Sequence, residues 1–127
     1  MARALALIFG IVYLGIGILG FVPAIGGTLG QTPSVLLGYI QTNLLHNIVH
    51  IVIGLAGLIA AGSEARAFAF CRWFGVALIV LGLIGYTRPN PFGVIPLGGL
   101  DVWVHVASGI VLALAGFLGS RAPIQAT

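Results

Sequence analysis

The stretch Phe9-Gly10-Ile11-Val12-Tyr13-Leu14-Gly15-Ile16-Gly17-Ile18-Leu19-Gly20-Phe21 has a counterpart in Phe74-Gly75-Val76-Ala77-Leu78-Ile79-Val80-Leu81-Gly82-Leu83-Ile84-Gly85-Tyr86. The leading phenylalanine and three glycines coincide, and most other pairs exchange one aliphatic side chain for another. Each stretch lies in an apolar run of the length, about 20 residues, that crosses a hydrocarbon core. Glycine weakens helices in water, so its recurrence inside apolar runs points to helices that approach closely in a membrane. The two stretches are read as the first and third of four membrane helices.

Composition requires a membrane. Of 127 residues, 60% are hydrophobic and 6% charged, and the mean hydropathy is +1.20. A soluble domain carries about 25% charged residues, and this chain could not cover a water-facing surface. One integral membrane domain, residues 1–127, is expected. The net charge of +3 comes from five arginines spread singly, which suits interfacial anchors and excludes a nucleic-acid patch. Cys71 is the lone cysteine, so no internal disulfide is possible. The run after Met1-Ala2-Arg3 continues to Val22. It is longer than the roughly 7–15 residues of a signal core and lacks a clear cleavage site, so it is read as an uncleaved helix.

Four spans follow, Arg3 to Val22, Thr42 to Ala61, Ala67 to Tyr86 and Asp101 to Leu118. Pro23 with Gly26-Gly27, the link Gly62-Ser63-Glu64-Ala65-Arg66, and Pro89-Asn90-Pro91 with Gly98-Gly99 separate them. Arg3, Arg66, Arg72 and Arg121 fall on one side and Arg88 on the other, which places both termini in the cytoplasm. Within the first outward loop, Thr32 to Ile40 is expected to form a short interfacial helix with Pro33 in its first turn.

The similarity continues in the second half of each unit, where His46-Asn47-Ile48-Val49-His50 through Gly54 lies over Asp101-Val102-Trp103-Val104-His105 through Gly109. The fold class is therefore all-α, a four-helix transmembrane bundle of two parallel two-helix repeats about a pseudo-two-fold axis. All three histidines and one of the two acids occupy these steps. A spacing of four puts both members of a step on one helix face, and ionisable groups in a membrane helix mark a site. Asn43, Asn47, His50, Gly54, Gly57 and Ala61 form a polar-to-small stripe on helix two, matched by Asp101, His105, Ser108 or Gly109, and Gly116 on helix four. The four ionisable side chains converge only if helices two and four face each other.

Four readings of the site stand side by side. The first is a structural network of Asn43, Asn47 and Ser108 with the histidines, in which Thr42 or Asn43 caps helix two and Asp101 caps helix four. The second is a transition-metal site of His46, His50, Asp101 and His105, although no H-E-x-x-H motif is present because Asn47 follows His46. The third is haem between His50 and His105, and the fourth is proton or solute transport. No catalytic residue is assigned. Trp73, Trp103, Tyr39 and Tyr86 suit an aromatic belt, and Arg88 could pair with Asp101 at the outer mouth. Cys71 lies too far toward the cytoplasmic side to serve as a ligand.

The passage from Leu37 through Asn43, His46, Asn47 and His50 to Gly54 resembles a family of small bacterial four-helix membrane proteins catalogued only as a domain of unknown function. Asn43, His46, Asn47, His50, Asp101 and His105 match its pattern, and the likeness runs from Leu5 to Gly119. Val102 follows Asp101 where the family's pattern has asparagine. The resemblance implies a bacterial inner-membrane protein with both termini inside, and it implies no activity. The architecture is also similar to DoxX-like four-helix proteins. The expected role is a non-enzymatic scaffold or accessory subunit that needs no cofactor. It would pack as a homo-oligomer or in a larger membrane complex. The alternative is a haem- or metal-binding redox membrane protein using His50 and His105.

Overall fold

The computed structural model describes residues 1–90 and 93–119. Its elements are α1 (Ala2–Leu19), a 3-10 turn (Pro23–Ile25), β1 (Ser34–Leu36), β2 (Ile40–Thr42), α2 (Leu44–Ala60), α3 (Glu64–Thr87) and α4 (Leu100–Leu118). The four helices form the expected all-α bundle of two hairpins. α1, α3 and α4 are long and apolar enough to cross a membrane. α2 has 17 residues, at the short end of the spanning range. Pro91 and Arg121, used in the loop and charge readings above, lie outside the described residues.

The bundle is packed with its small and polar residues inside. α1 buries Ala2, Ala6, Gly10, Tyr13 and Gly17, and α2 buries His46, Asn47, His50, Gly54, Gly57 and Ala60. Ile8, Ile11, Ile18, Val52, Ile59, Leu83 and Leu114 face outward. A soluble bundle reverses this distribution. Here close backbone approach replaces hydrophobic burial as the source of cohesion, as lipid surroundings demand. α1 packs on α2 and α3 on α4, with α1 also touching α3.

The glycines set the contact of each hairpin. A Cβ added to Gly10 would lie 2.8 Å from the Leu58 nitrogen and 3.0 Å from the Gly54 oxygen, and one on Gly75 2.8 Å from the Gly109 oxygen. Gly17 meets Asn47 and Ile51 as Gly82 meets Val102 and Val106. At the end that holds Met1, the α2–α3 link and Gly119, Arg3 Nε donates to the Ala61 carbonyl at 2.8 Å, and Arg72 donates to the Gly116 carbonyl at 3.1 Å. Such cations satisfy carbonyls that a helix leaves unpaired at its C-terminal end. Ser63 caps α3, accepting from Arg66 N, so that helix begins earlier than Ala67.

The opposite, loop end departs from expectation. Residues 32–40 form no helix; β1 and β2 pair antiparallel, Ser34 with Thr42 and Leu36 with Ile40. Leu37 and Gly38 turn the hairpin with φ of 53° and 78°, a conformation a helix cannot contain. The ladder pairs backbone groups near the membrane, and Leu36 is buried beneath it. Asp101 does not cap α4. The N-cap is Gly99, and Asp101 lies inside the first helical turn. No salt bridge joins Asp101 to Arg88 among the described residues, and one carboxylate oxygen of Asp101, Oδ2, has no hydrogen-bond partner.

Candidate functional site

The histidines meet in the middle of the bundle near its loop end. α2 carries His46 and His50 on the face that Asn43 initiates, because the Asn43 side chain accepts the His46 N–H at 2.9 Å and fixes the first turn. α4 carries His105 on its buried face. The His46 and His50 rings lie 4.3 Å apart between centroids, and His46 and His105 6.5 Å. One nitrogen from each of His46, His50 and His105 lies within 4.8 Å of the other two. Three nitrogens at about 2.0 Å from one tetrahedral zinc are about 3.3 Å apart, so ring rotations that bring them roughly 1.5 Å closer would close the set.

Hydrogen bonding leaves these rings available. His105 Nδ1 lies 2.6 Å from the Asp101 carbonyl oxygen. A carbonyl only accepts, so Nδ1 donates and Nε2 keeps its lone pair, the arrangement typical of a metal-ligating imidazole. The Nδ1 atoms of His46 and His50 are buried without a hydrogen-bond partner. Buried polar groups are nearly always paired, and an unpaired set of nitrogens is a reason to look for a ligand.

The remaining candidates are placed differently. Asp101 is 4% exposed and lies beside His50 and His105 around one cavity, but its carboxylate is outside the three-nitrogen set. Asn43 Nδ2 donates to the carbonyls of Gln31 and Val94, at 3.2 and 2.6 Å. Asn47 Nδ2 donates to the carbonyls of Gly20 and Thr28, at 2.7 and 3.3 Å, and Asn47 Oδ1 accepts from Thr42. Both amides are used in tying loops to helices and bond to none of the histidine rings. Ser108 donates to the Val104 carbonyl at 2.5 Å. Cys71 is at the far end, with its sulfur 3.7 Å from the Ala2 carbonyl. Trp103 packs edge-on to Tyr86 on the exposed surface.

Tyr13 is the site residue that the sequence reading missed. It is 5% exposed, and its ring sits edge-on to His50 at 5.2 Å and to Phe74 at 5.3 Å. It continues the spacing of Ala6, Gly10 and Gly17, so the inward face of α1 already included it. Cavities of about 60 and 70 Å³ flank the histidines.

Residues 3–118 match a family described as a domain of unknown function, DUF4383. The chain belongs to that family. No curated protein and no solved structure matches it, and nothing in these comparisons links it to the DoxX-like proteins. Membership brings no activity with it, so function has to be argued from the geometry of the histidines.

Proposed function

We propose that this chain is a multi-pass bacterial inner-membrane protein that binds one transition-metal ion through His46, His50 and His105. The observation that carries the reading is the convergence of three buried imidazoles, two of them with an Nδ1 that no protein group satisfies. Imidazole donors suit zinc, copper, iron and nickel. An ion is favoured over haem, because three imidazole nitrogens gather within 4.8 Å of one another, a donor number and spacing that suit a bare ion rather than the two axial places of a haem. Asp101 supplies negative charge close to the cation, which lowers the cost of holding it in a medium of low dielectric constant. Arg3, Arg66 and Arg72 at one end of the bundle and Arg88 at the other support cytoplasmic termini. The site would then lie toward the outer leaflet. The matching glycine contacts of the two hairpins support an internal duplication.

A second reading, the scaffold or accessory subunit, draws support from the outward-facing aliphatic residues on all four helices. Such faces can pack against another membrane helix as readily as against lipid. It is compatible with a bound ion.

The test is titration of the detergent-purified full chain with zinc or copper(II) against a competing chelator. One ion per chain is expected in the wild type, and its loss in His50→Ala/His105→Ala with unchanged helical circular dichroism. A folded wild type that takes up no ion, or a double variant that binds as well, contradicts the reading.

A further inference from the structure

The cavities beside the histidines correspond to each other across the two hairpins. Both are bordered by His50, His105 and Tyr13. The first adds His46, Val49 and Ile53; the second adds Asp101, Val104 and Ser108, which are the counterparts of those three residues in the aligned helices. One chamber therefore has a third imidazole and hydrocarbon where the other has a carboxylate and a hydroxyl. Leu78, the counterpart of Tyr13, lines only the first chamber. A ligand that needs hydrogen-bond acceptors finds them in the second.

Two needs remain at this place. The proposed ion has three protein nitrogens, whereas zinc and copper(II) ordinarily take a fourth ligand or more. The Asp101 carboxyl is 4% exposed, and its Oδ2 has no hydrogen-bond partner. Leaving such a group unpaired away from water is costly. It stands outside the three-nitrogen set and cannot simply be counted as the fourth ligand.

We infer that an exchangeable water in the second chamber is the fourth ligand of the ion and donates a hydrogen bond to the Asp101 carboxylate. Its oxygen completes the coordination, and one O–H satisfies Oδ2. A cavity of about 70 Å³ has room for it. Ser108, whose own proton is directed at the Val104 carbonyl and whose oxygen hydrogen-bonds with Tyr13, borders the chamber without binding the water. Tyr13 closes the chamber on the α1 side. Asp101 is on this account a positioning residue, acting on the ion through the water, and the site accepts small ligands that carry a proton for the carboxylate. The inference rests on the three-histidine reading above.

Pulsed electron paramagnetic resonance of the copper(II)-loaded full chain, in H₂O and in D₂O, separates the two. The wild type is expected to show nitrogen couplings from imidazole and, in D₂O, the strong deuteron coupling of a directly bound water. In Asp101→Leu/Ser108→Ile the nitrogen couplings should persist and the deuteron coupling should disappear. Ser108→Ile alone, which fills the chamber and leaves Asp101 in place, should remove it too and serves if the double variant does not fold. Nitrogen couplings without a strong deuteron coupling in the wild type overturn the bound water and leave the histidine site standing. An undiminished deuteron coupling in Ser108→Ile also overturns it, because the water would then lie elsewhere. Absence of imidazole couplings overturns the histidine site itself.

Discussion

In the α1–α2 hairpin Gly17 faces Asn47 and Ile51, and in the α3–α4 hairpin Gly82 faces Val102 and Val106 in the same arrangement. The next glycine of each series separates them. A methyl group on Gly20 would fall on the Asn47 amide, whereas Gly85 meets the backbone of Leu97 instead. Asn47 and Val102 occupy matching places on α2 and α4, yet only the first reaches back to bond Gly20 and Thr28. The difference teaches that helix approach is set by the small residues common to both hairpins. The polar residues are then free to differ, and they serve loop attachment in one hairpin and the chamber beside the histidines in the other.

If the shared glycines set the approach, filling one should cost most. A Cβ at Gly75 would lie 2.8 Å from the Gly109 oxygen and 2.9 Å from the Ala113 Cα, both on the α4 backbone. Gly75→Val is expected to lower stability by about 3 kcal/mol or more, read as a shift in detergent-unfolding midpoint. Gly10→Val should behave alike. A large loss in one hairpin and none in the other would break the equivalence.

Asn47→Val gives α2 the residue that α4 carries at the matching place. It strands the Thr28 carbonyl and the Thr42 hydroxyl and leaves the Gly20 carbonyl with the Thr28 N–H alone, and a loss of about 2 kcal/mol is expected. Hydrogen exchange should rise in residues 20–43 and not in the α3–α4 hairpin. Uniform exchange across both hairpins would show that Asn47 has no local anchoring role.

The smallest effect belongs to Gly15, which lies in the quoted repeat but faces open space, with nothing within 4 Å of an added Cβ. Gly15→Ala should be neutral or stabilising by up to about 1 kcal/mol. A loss comparable with Gly75→Val would mean that glycine content, rather than glycine placement, controls packing.

Much of this was legible in the sequence. Apolar run length and the breaking residues located four helices, and all four observed helices begin and end within three residues of the expected spans. The aligned glycines identified the contact seams, because a residue without a side chain in an apolar helix has few other uses. In residues 32–40 Pro33 resembles a helix start, whereas the segment pairs as a β-hairpin. Gly38 and the β-branched Val35, Ile40 and Thr42 favoured a hairpin, which only pairing across the loop makes visible. The position of Asp101 at the start of an apolar run suggests a cap, but the chain enters α4 at Gly99, with φ of 65°. The convergence of His46, His50 and His105 depended on how the hairpins face each other, which no local pattern encodes. The Asn47 partners Gly20 and Thr28 were hidden for the same reason. Tyr13 was overlooked because a tyrosine among aliphatic residues reads as packing until its neighbour is known to be a histidine.

The contrast between the hairpins ends at the histidines, where α2 contributes two rings and α4 one. Zinc-edge X-ray absorption of the one-to-one zinc complex in detergent examines that division directly. Three histidine-type scatterers with nitrogen at about 2.0 Å are predicted for the wild type and two for His105→Ala, while His46→Ala/His50→Ala, left with a single ring, should retain no stoichiometric zinc. A zinc environment of oxygen scatterers alone, unchanged in those variants, would contradict the account.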